Sequence, residues 1–399
     1  MLVKATHKSY MKALKIAARV IPIPRPTLFT GAESAEQLCE AISLMNLGKL
    51  LLVTDKALVG VGIVDQVEGY LRRHGVEFVR FDKVTPDPTY PQAEEGLAVY
   101  KRESCMGILA VGGGSPIDCA KVIAARVTNN KAIKKLAGLL KVWRSPAPLF
   151  VIPTTAGTGS EVTVAAVISD PANHQKTPLM DPKLVPLMAA LDPQLMTGLP
   201  PHITAATGMD ALTHAVEAYI SLNATTETDA YAIAALKLIH ANLIAAYRDG
   251  QSLKVRLNMA MASYYAGLAF TKASLGYTHA IAHNLGAKYG TPHGAANALA
   301  LPHVLEVSIP SAKARISNLA KMVEVGDESK DDQTNACAFV DYVVSLQEAM
   351  NMPRSLPDIK SEDITQIAKS AIREANWNYP VPHYLTLGEC EQLIEKIKA

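Results

Sequence analysis

At 399 residues the chain is too long for one ordinary core, and two domains are expected. Hydrophobic residues at 49% and charged residues at 19% give a globular composition, and a net charge of +2 with 6% aromatics leaves no nucleic-acid footprint. The five cysteines, Cys39, Cys105, Cys119, Cys337 and Cys390, are scattered without a CxxC pair and read as reduced thiols of a cytosolic protein, and no apolar run approaches the ~18 residues of a membrane span.

The first segment, MLVKATHKSYMKALKIAARVIPIPRP, is basic and has no acid before Glu33, as an organelle transit peptide would. It lacks a small-residue cleavage signature and is poor in serine, so it reads as a folded arm leading into a strand at VIPIPRPTLFTG. KLLLVTD is a buried strand, VDQVEGYLRRHG an amphipathic helix stopped at Gly75, VEFVRFD a strand and TYPQAEEGLAVYKRES a helix. CMGILAVGGGS is a strand that ends in glycines, APLFVIPTTAGTGSEVT another strand with a glycine-containing loop, and PLMAALDP a last short strand. Alternation of helices with buried strands predicts a parallel sheet covered on both faces.

Beyond Pro200 and Pro201 the strand signals stop. ITAATGMDALTHAVEAYIS, TETDAYAIAALKLIHANLIAAYRDG and SLKVRLNMAMASYYAGLAF are long, alanine-rich and helical in period, and more helices follow, broken at NMPRSLPDI and NYPVPHYLT. The expected organisation is an α/β dinucleotide-binding domain over residues 1–197 and an all-helical domain over 198–399, closely joined through DPQLMTGLPPHI, with a ligand in the cleft between them.

Two loops carry candidate ligand chemistry. ILAVGGGSPIDCAKVIA places Gly112, Gly113, Gly114 and Ser115 directly after a strand, with Pro116 at the first helical position and Asp118 in the first turn. Glycines let a backbone approach a ligand, and the following helix start offers unpaired N–H groups to a phosphate. The spacing is neither G-x-G-x-x-G nor a P-loop, and a tight turn without a ligand is the competing reading, but the position after a strand and the triple glycine favour a phosphate or pyrophosphate cradle. IPTTAGTGSEVT adds Thr154, Thr155, Thr158, Ser160 and Thr163, whose hydroxyls suit ribose or phosphate. Asp55 ends the KLLLVTD strand, where an acid can hold a ribose diol or merely cap a helix.

The helical half carries candidate metal ligands. Asp210 and His214 are four apart in GMDALTHAVEAY, as are His279 and His283 in GYTHAIAHNLGAKYGTPHG, where His293 follows a Gly-Pro break. One carboxylate and several imidazoles suit a divalent transition metal. Spacing alone leaves open which of the three later histidines is not a ligand, and a polar helix face is the competing reading.

The pieces VTDKAL, PDPT, GGGSPIDCAK, PTTAGTGSEVT, GMDALTHAVEAY, HAIAHNLGAKYGTPHG and LPHV, in that order, resemble the iron-containing (group III) alcohol dehydrogenases over nearly the full chain. The resemblance implies the dehydroquinate synthase-like architecture, with NAD on the α/β domain. It implies Asp210, His214, His279 and His293 as ligands of Fe²⁺, with Zn²⁺ the alternative, and His283 as the histidine beside the substrate. It assigns cofactor contacts to Asp55, Asp87 of PDPT, the two loops including Asp118, and Lys176, whose plainer reading is a solvated lysine. Phe270 is a pocket wall or a core phenylalanine. The ending ANWNYPVPHYLT departs from the Asn-Pro-Arg more frequent in relatives.

The expected reaction is hydride transfer between an alcohol, its oxygen on the metal, and NAD, giving an aldehyde or ketone. A polyol (glycerol or 1,2-diol) dehydrogenase or a dehydroquinate synthase-like lyase would share the architecture. So would a non-catalytic binding or filament-forming protein, which the complete metal set argues against. A cytoplasmic homodimer or larger homo-oligomer, without nucleic-acid or membrane partners, is expected.

Overall fold

The structure, a computed structural model, describes residues 22–171 and 175–399; the first 21 residues of the basic arm read from the sequence lie outside them. The described residues form two compact units, Pro22–Leu199 with Gly250–Ala260, and Pro200–Asp249 with Met261–Ala399.

In the first unit the chain runs β1 (Thr27–Thr30), α1 (Ser34–Leu44), β2 (Leu50–Asp55), α2 (Lys56–Gly60), α3 (Ile63–Arg73) and β3 (Phe78–Val84). It continues through α4 (Tyr90–Arg102), β4 (Gly107–Gly112), α5 (Gly114–Thr128), α6 (Ile133–Leu136), β5 (Gly138–Leu139) and β6 (Leu149–Pro153). Strands β7 (Ala165–Asp170), β8 (Gln175–Met180) and β9 (Met188–Leu191) complete it. Six strands form a wholly parallel sheet in the order β1-β9-β6-β4-β2-β3. Alternation explains why β2 is a continuous apolar run. Leu50 and Leu52 face Leu38, Ile42, Val64 and Leu71 of α1 and α3, while Leu51 and Val53 face Leu97 and Ile117 of α4 and α5.

A second sheet, β5-β8-β7, is absent from the sequence-based expectation. Its strands are two to six residues long, β8 contains Pro178, and β7 pairs antiparallel with β8. Such half-exposed pieces lack the buried run that marks the strands of the main sheet.

After Pro200 the described chain is helical: α7 (Pro201–Ile220), α8 (Thr226–Arg248), α9 (Leu253–Ala273), α10 (Tyr277–Tyr289), α11 (His293–Met322), α12 (Asp332–Ala349), α13 (Ser361–Asn378) and α14 (Leu387–Lys398). Small residues set the spacing. Ala215, Ala235 and Ala266 pack together from α7, α8 and α9, and a Cβ on Gly294 would run into the backbone of Ala206, so the start of α11 lies directly on α7. Helix α11 bends at Ala312 (φ −133°, ψ 16°), two residues after Pro310. Helix α8 is the one described helix long and apolar enough, by length and composition, to cross a membrane, with a mean hydropathy of 1.4. Its buried apolar residues, Ala232, Ala235, Leu236, Ile239, Leu243 and Ala246, instead recur at helical spacing along one side.

Candidate metal centre and cofactor loops

Three helices of the second unit converge on one buried carboxylate. Asp210 lies on α7, His279 in the first turn of α10, and His293 at the first position of α11. A ligand atom from each lies within 4.8 Å of the others. Asp210 Oδ1 is 3.5 Å from His293 Nε2, 3.7 Å from His279 Nε2 and 3.9 Å from His214 Nε2. His214 stands outside the tightest trio, its ring stacked 4.5 Å from that of His279. Phe270, read as a pocket wall or a core phenylalanine, stacks on His214 with ring centroids 4.2 Å apart.

Burial works against the Asp210 charge, yet the imidazoles of His214, His293 and His279 outweigh it and hold the carboxyl far below its usual range. Burial likewise opposes a charge on His279, but Glu217 and Asp210 draw it up to about 9. A carboxylate and imidazoles packed this closely repel one another only when all are bare, and a divalent cation or bound protons relieve that. The donor set therefore fits Fe²⁺ or Zn²⁺.

Four groups around this cluster are not singled out by sequence reasoning. Glu217, on α7 two turns beyond Asp210, accepts from His279 Nδ1 at 2.6 Å, Gly276 N–H at 2.8 Å and Thr278 N–H at 2.7 Å. One buried carboxylate thus caps the start of α10 and fixes the ring of His279. Asn297, one turn after His293, donates to Asp210 Oδ1 at 2.7 Å. On the other side His283 Nδ1 donates to Glu374 Oε1 at 2.7 Å, and the Tyr379 hydroxyl donates to the same oxygen at 2.7 Å. The His283 ring stacks 5.3 Å from that of His293. Tyr379 belongs to the C-terminal stretch ANWNYPVPHYLT. The spacings 210/217 and 293/297 are the only signals that could have exposed the first two; Glu374 is joined to His283 by tertiary structure alone.

In the first unit the two predicted loops meet. A Cβ on Gly113 would press on Thr155 Oγ1 at 3.1 Å, and one on Gly114 on Thr158 Cγ2 at 2.9 Å. Gly112 has a φ of 152°, where a side chain would strike Pro116. Helix α5 starts at Gly114, two residues before the start expected at Pro116, with Gly113 as the extended cap residue before it. Pro116 is then the third helical residue, still among positions whose N–H needs no helical partner, and Asp118 is the fifth. Asp118 turns sideways to accept from Val167 N–H at 2.9 Å, and Ser160 also hydrogen-bonds it.

The other cofactor candidates are already engaged. Asp55 caps α2, accepting from Leu58 N–H at 2.9 Å. Lys176, read as a possible solvated lysine, pairs with Asp87 at 2.6 Å. Thr154 is buried where β6 ends, its N–H donating to Gly112 O at 3.1 Å. Thr163 accepts from Lys121, a lysine fully buried in α5 whose Nζ donates to Thr163 O at 2.8 Å and Ala165 O at 2.7 Å. Burial draws Lys121 down to about 8 against the pull of Asp118 and Glu161, and pushes Glu161 up to about 7. Lys121 ties the end of the second loop to the helix that follows the first.

A parallel sheet with paired glycine-threonine loops and an all-helical unit with a buried carboxylate-imidazole cluster define a metal- and dinucleotide-dependent oxidoreductase. The profile described as iron-containing alcohol dehydrogenase matches residues 25–193, and that of the Fe-containing alcohol dehydrogenase family, C-terminal, matches 204–398. Alcohol dehydrogenase 4 of Saccharomyces cerevisiae is 38% identical over 88% of this chain and 91% of its own. The NAD-dependent methanol dehydrogenase of Bacillus methanolicus is 35% identical over 93% and 97%. The crystal structure of a 1,3-propanediol oxidoreductase superposes with a TM-score of 0.92 at 37% identity, covering 95% of this chain and all of that one. The chain belongs to the iron-containing alcohol dehydrogenase family. Its reaction is the NAD-linked, metal-dependent interconversion of an alcohol with its aldehyde or ketone.

Proposed function

We propose that Asp210, His214, His279 and His293 hold the divalent cation, and that the chain works as two domains, residues 1–197 and 198–399, with Gly250–Ala260 grouped with the first. The observation that carries this reading is the convergence of Asp210, His279 and His293 from three helices. When bound, the cation supplies Lewis acidity toward the substrate oxygen and NAD accepts or returns the hydride. The protein's own groups do the rest. Glu217 holds His279 in place. His283, its Nδ1 committed to Glu374, has Nε2 left to exchange the alcohol proton with solvent. Phe270 walls the substrate pocket. Backbone N–H groups at the start of α5 and the hydroxyls of Thr155 and Thr158 hold the pyrophosphate and ribose, with Asp55, Asp87 and Lys176 around them and Thr154, Ser160, Thr163 and Asp118 bracing the loops from behind. The protein acts in the cytoplasm as a homodimer or larger homo-oligomer, on small alcohols and aldehydes.

The test is a panel of primary alcohols and diols with NAD⁺, run on metal-free protein reconstituted with Fe²⁺ or Zn²⁺. Reconstitution is expected to restore turnover, and His283→Ala to keep its metal while kcat falls by about 10²-fold or more. Loss of metal from His283→Ala would make that histidine a ligand.

Cofactor choice follows from Asp55. Its carboxylate, placed against the adenosine ribose, repels a 2′-phosphate. Two like charges about 5 Å apart at an effective dielectric near 20 cost about 3 kcal/mol, roughly a hundredfold in affinity. Lys56, the next residue, reduces this if it folds over the phosphate. A preference for NAD⁺ over NADP⁺ is expected, and Asp55→Gly should relax it by improving NADP⁺. Equal kcat/KM for the two cofactors in the unaltered enzyme would rule out this role.

A further inference from the structure

Asn297 is completely buried on α11, one helical turn after His293. Its Nδ2 donates to Asp210 Oδ1 at 2.7 Å and lies 3.3 Å from His279 Nε2 and 3.2 Å from His293 Nε2. The amide nitrogen therefore touches all three members of the converging trio. Its Oδ1 is buried without a hydrogen-bond partner among the described residues. A buried amide that leaves its carbonyl unpaired normally turns to satisfy it. Here the orientation is dictated from the other end, by the carboxylate oxygen that faces the imidazoles.

We infer that Asn297 is a positioning residue of the metal centre: its amide fixes which oxygen of Asp210 faces the imidazoles and sets the spread of the trio. This rests on the proposed cation site. The geometry gives the reason. Asp210 sits on α7 and a carboxylate has two equivalent oxygens and a freely turning terminal bond. A donor at 2.7 Å on one oxygen, anchored on the helix that also carries His293, ties the two ligands from different helices into one unit. Glu217 does the same for His279 from the far side of its ring. Each helix that brings a ligand is thus cross-linked to another through a polar contact. Outer hydrogen bonds of this kind change metal affinity by about 10–100-fold.

The experiment uses the full-length protein stripped of metal and titrated with Co²⁺ against a competing chelator, following the visible Co²⁺ bands. Asn297→Leu, close in shape, and Asn297→Ala, which cannot clash, are compared with the unaltered protein, with circular dichroism of each metal-free form as the folding control. The expected result is a fall in Co²⁺ affinity of about 10–100-fold with altered visible bands, in variants that keep their secondary structure. If Asn297→Leu does not fold, Asn297→Ala decides. Unchanged or increased affinity, or weaker binding with an unaltered Co²⁺ spectrum, overturns the inference. An unaltered protein that binds no Co²⁺ would instead fail the cation site itself.

Discussion

Asp210→Ala is expected to lose bound metal and alcohol oxidation together. Asp210 is buried, and its Oδ1 faces the Nε2 atoms of His293, His279 and His214 at 3.5, 3.7 and 3.9 Å. Without it the cation keeps only imidazoles as ligands, and the one anionic ligand that offsets part of its double positive charge is gone. A Lewis acid contributes several kcal/mol to such a reaction, so turnover should fall by at least about a thousandfold. Asp210→Asn, which keeps the shape and one oxygen, should bind metal weakly rather than not at all. Metal analysis of purified protein separates these outcomes, and full occupancy in Asp210→Ala would remove Asp210 from the ligand set.

Glu217→Ala should be the most destabilising change near the centre. It strips the acceptor from His279 Nδ1 and from two backbone N–H groups at the start of α10 at one stroke. Breaking a buried charge pair of this kind costs about 3–5 kcal/mol, and metal affinity should fall by about 10–100-fold as His279 loses its orientation. The effect is pH-dependent in the metal-free protein. Burial disfavours the Glu217 charge, but His279 and the Thr278 hydrogen bonds prevail and depress its pKa below the ordinary 4.5. Its contribution is therefore present above pH 4.5 and is lost as the pH falls through the depressed value. His279, raised from 6.5 to about 9, contributes fully below 6.5 and less as the pH climbs through 9. The stability gap between unaltered protein and Glu217→Ala, measured by urea unfolding without metal, should thus be widest between about pH 4.5 and 6.5 and close on either side. A gap that is small and flat across pH would mean that Glu217 is not charged in the fold.

Much of this was legible in the sequence because burial leaves periodic marks. The strands of the main sheet are covered on both faces and so appear as unbroken apolar runs, as in LLLVTD. The small sheet has no such cover and no such mark. Asp210/His214 and His279/His283 are visible because one helical turn is four residues. Glu217 stands in the same motif without marking itself, since a glutamate two turns along a helix is ordinarily a surface residue. Lys121 is less legible still: nothing in GGGSPIDCAK says that its lysine is fully buried with its ammonium on backbone carbonyls. Glu374 and Tyr379 lie about ninety residues from the histidine they serve, as the pair 283/374 shows, and only the folded chain brings them there. Sequence alone puts the start of α5 at Pro116 rather than Gly114 because proline favours the first helical position, whereas a glycine there carries no comparable signal.

The contact of Gly113 with Thr155 and of Gly114 with Thr158 bears on how such an enzyme can be rebuilt. The two loops are cast against each other like the halves of a mould, so neither surface has a shape of its own. Grafting the first loop from another dehydrogenase would bring in side chains where these threonines already stand; grafting the second alone would leave a gap or a collision against bare backbone. An engineer who wants a different nucleotide specificity on this scaffold has to transplant both loops as one part, together with Lys121, whose ammonium pins the end of the second to the helix that follows the first.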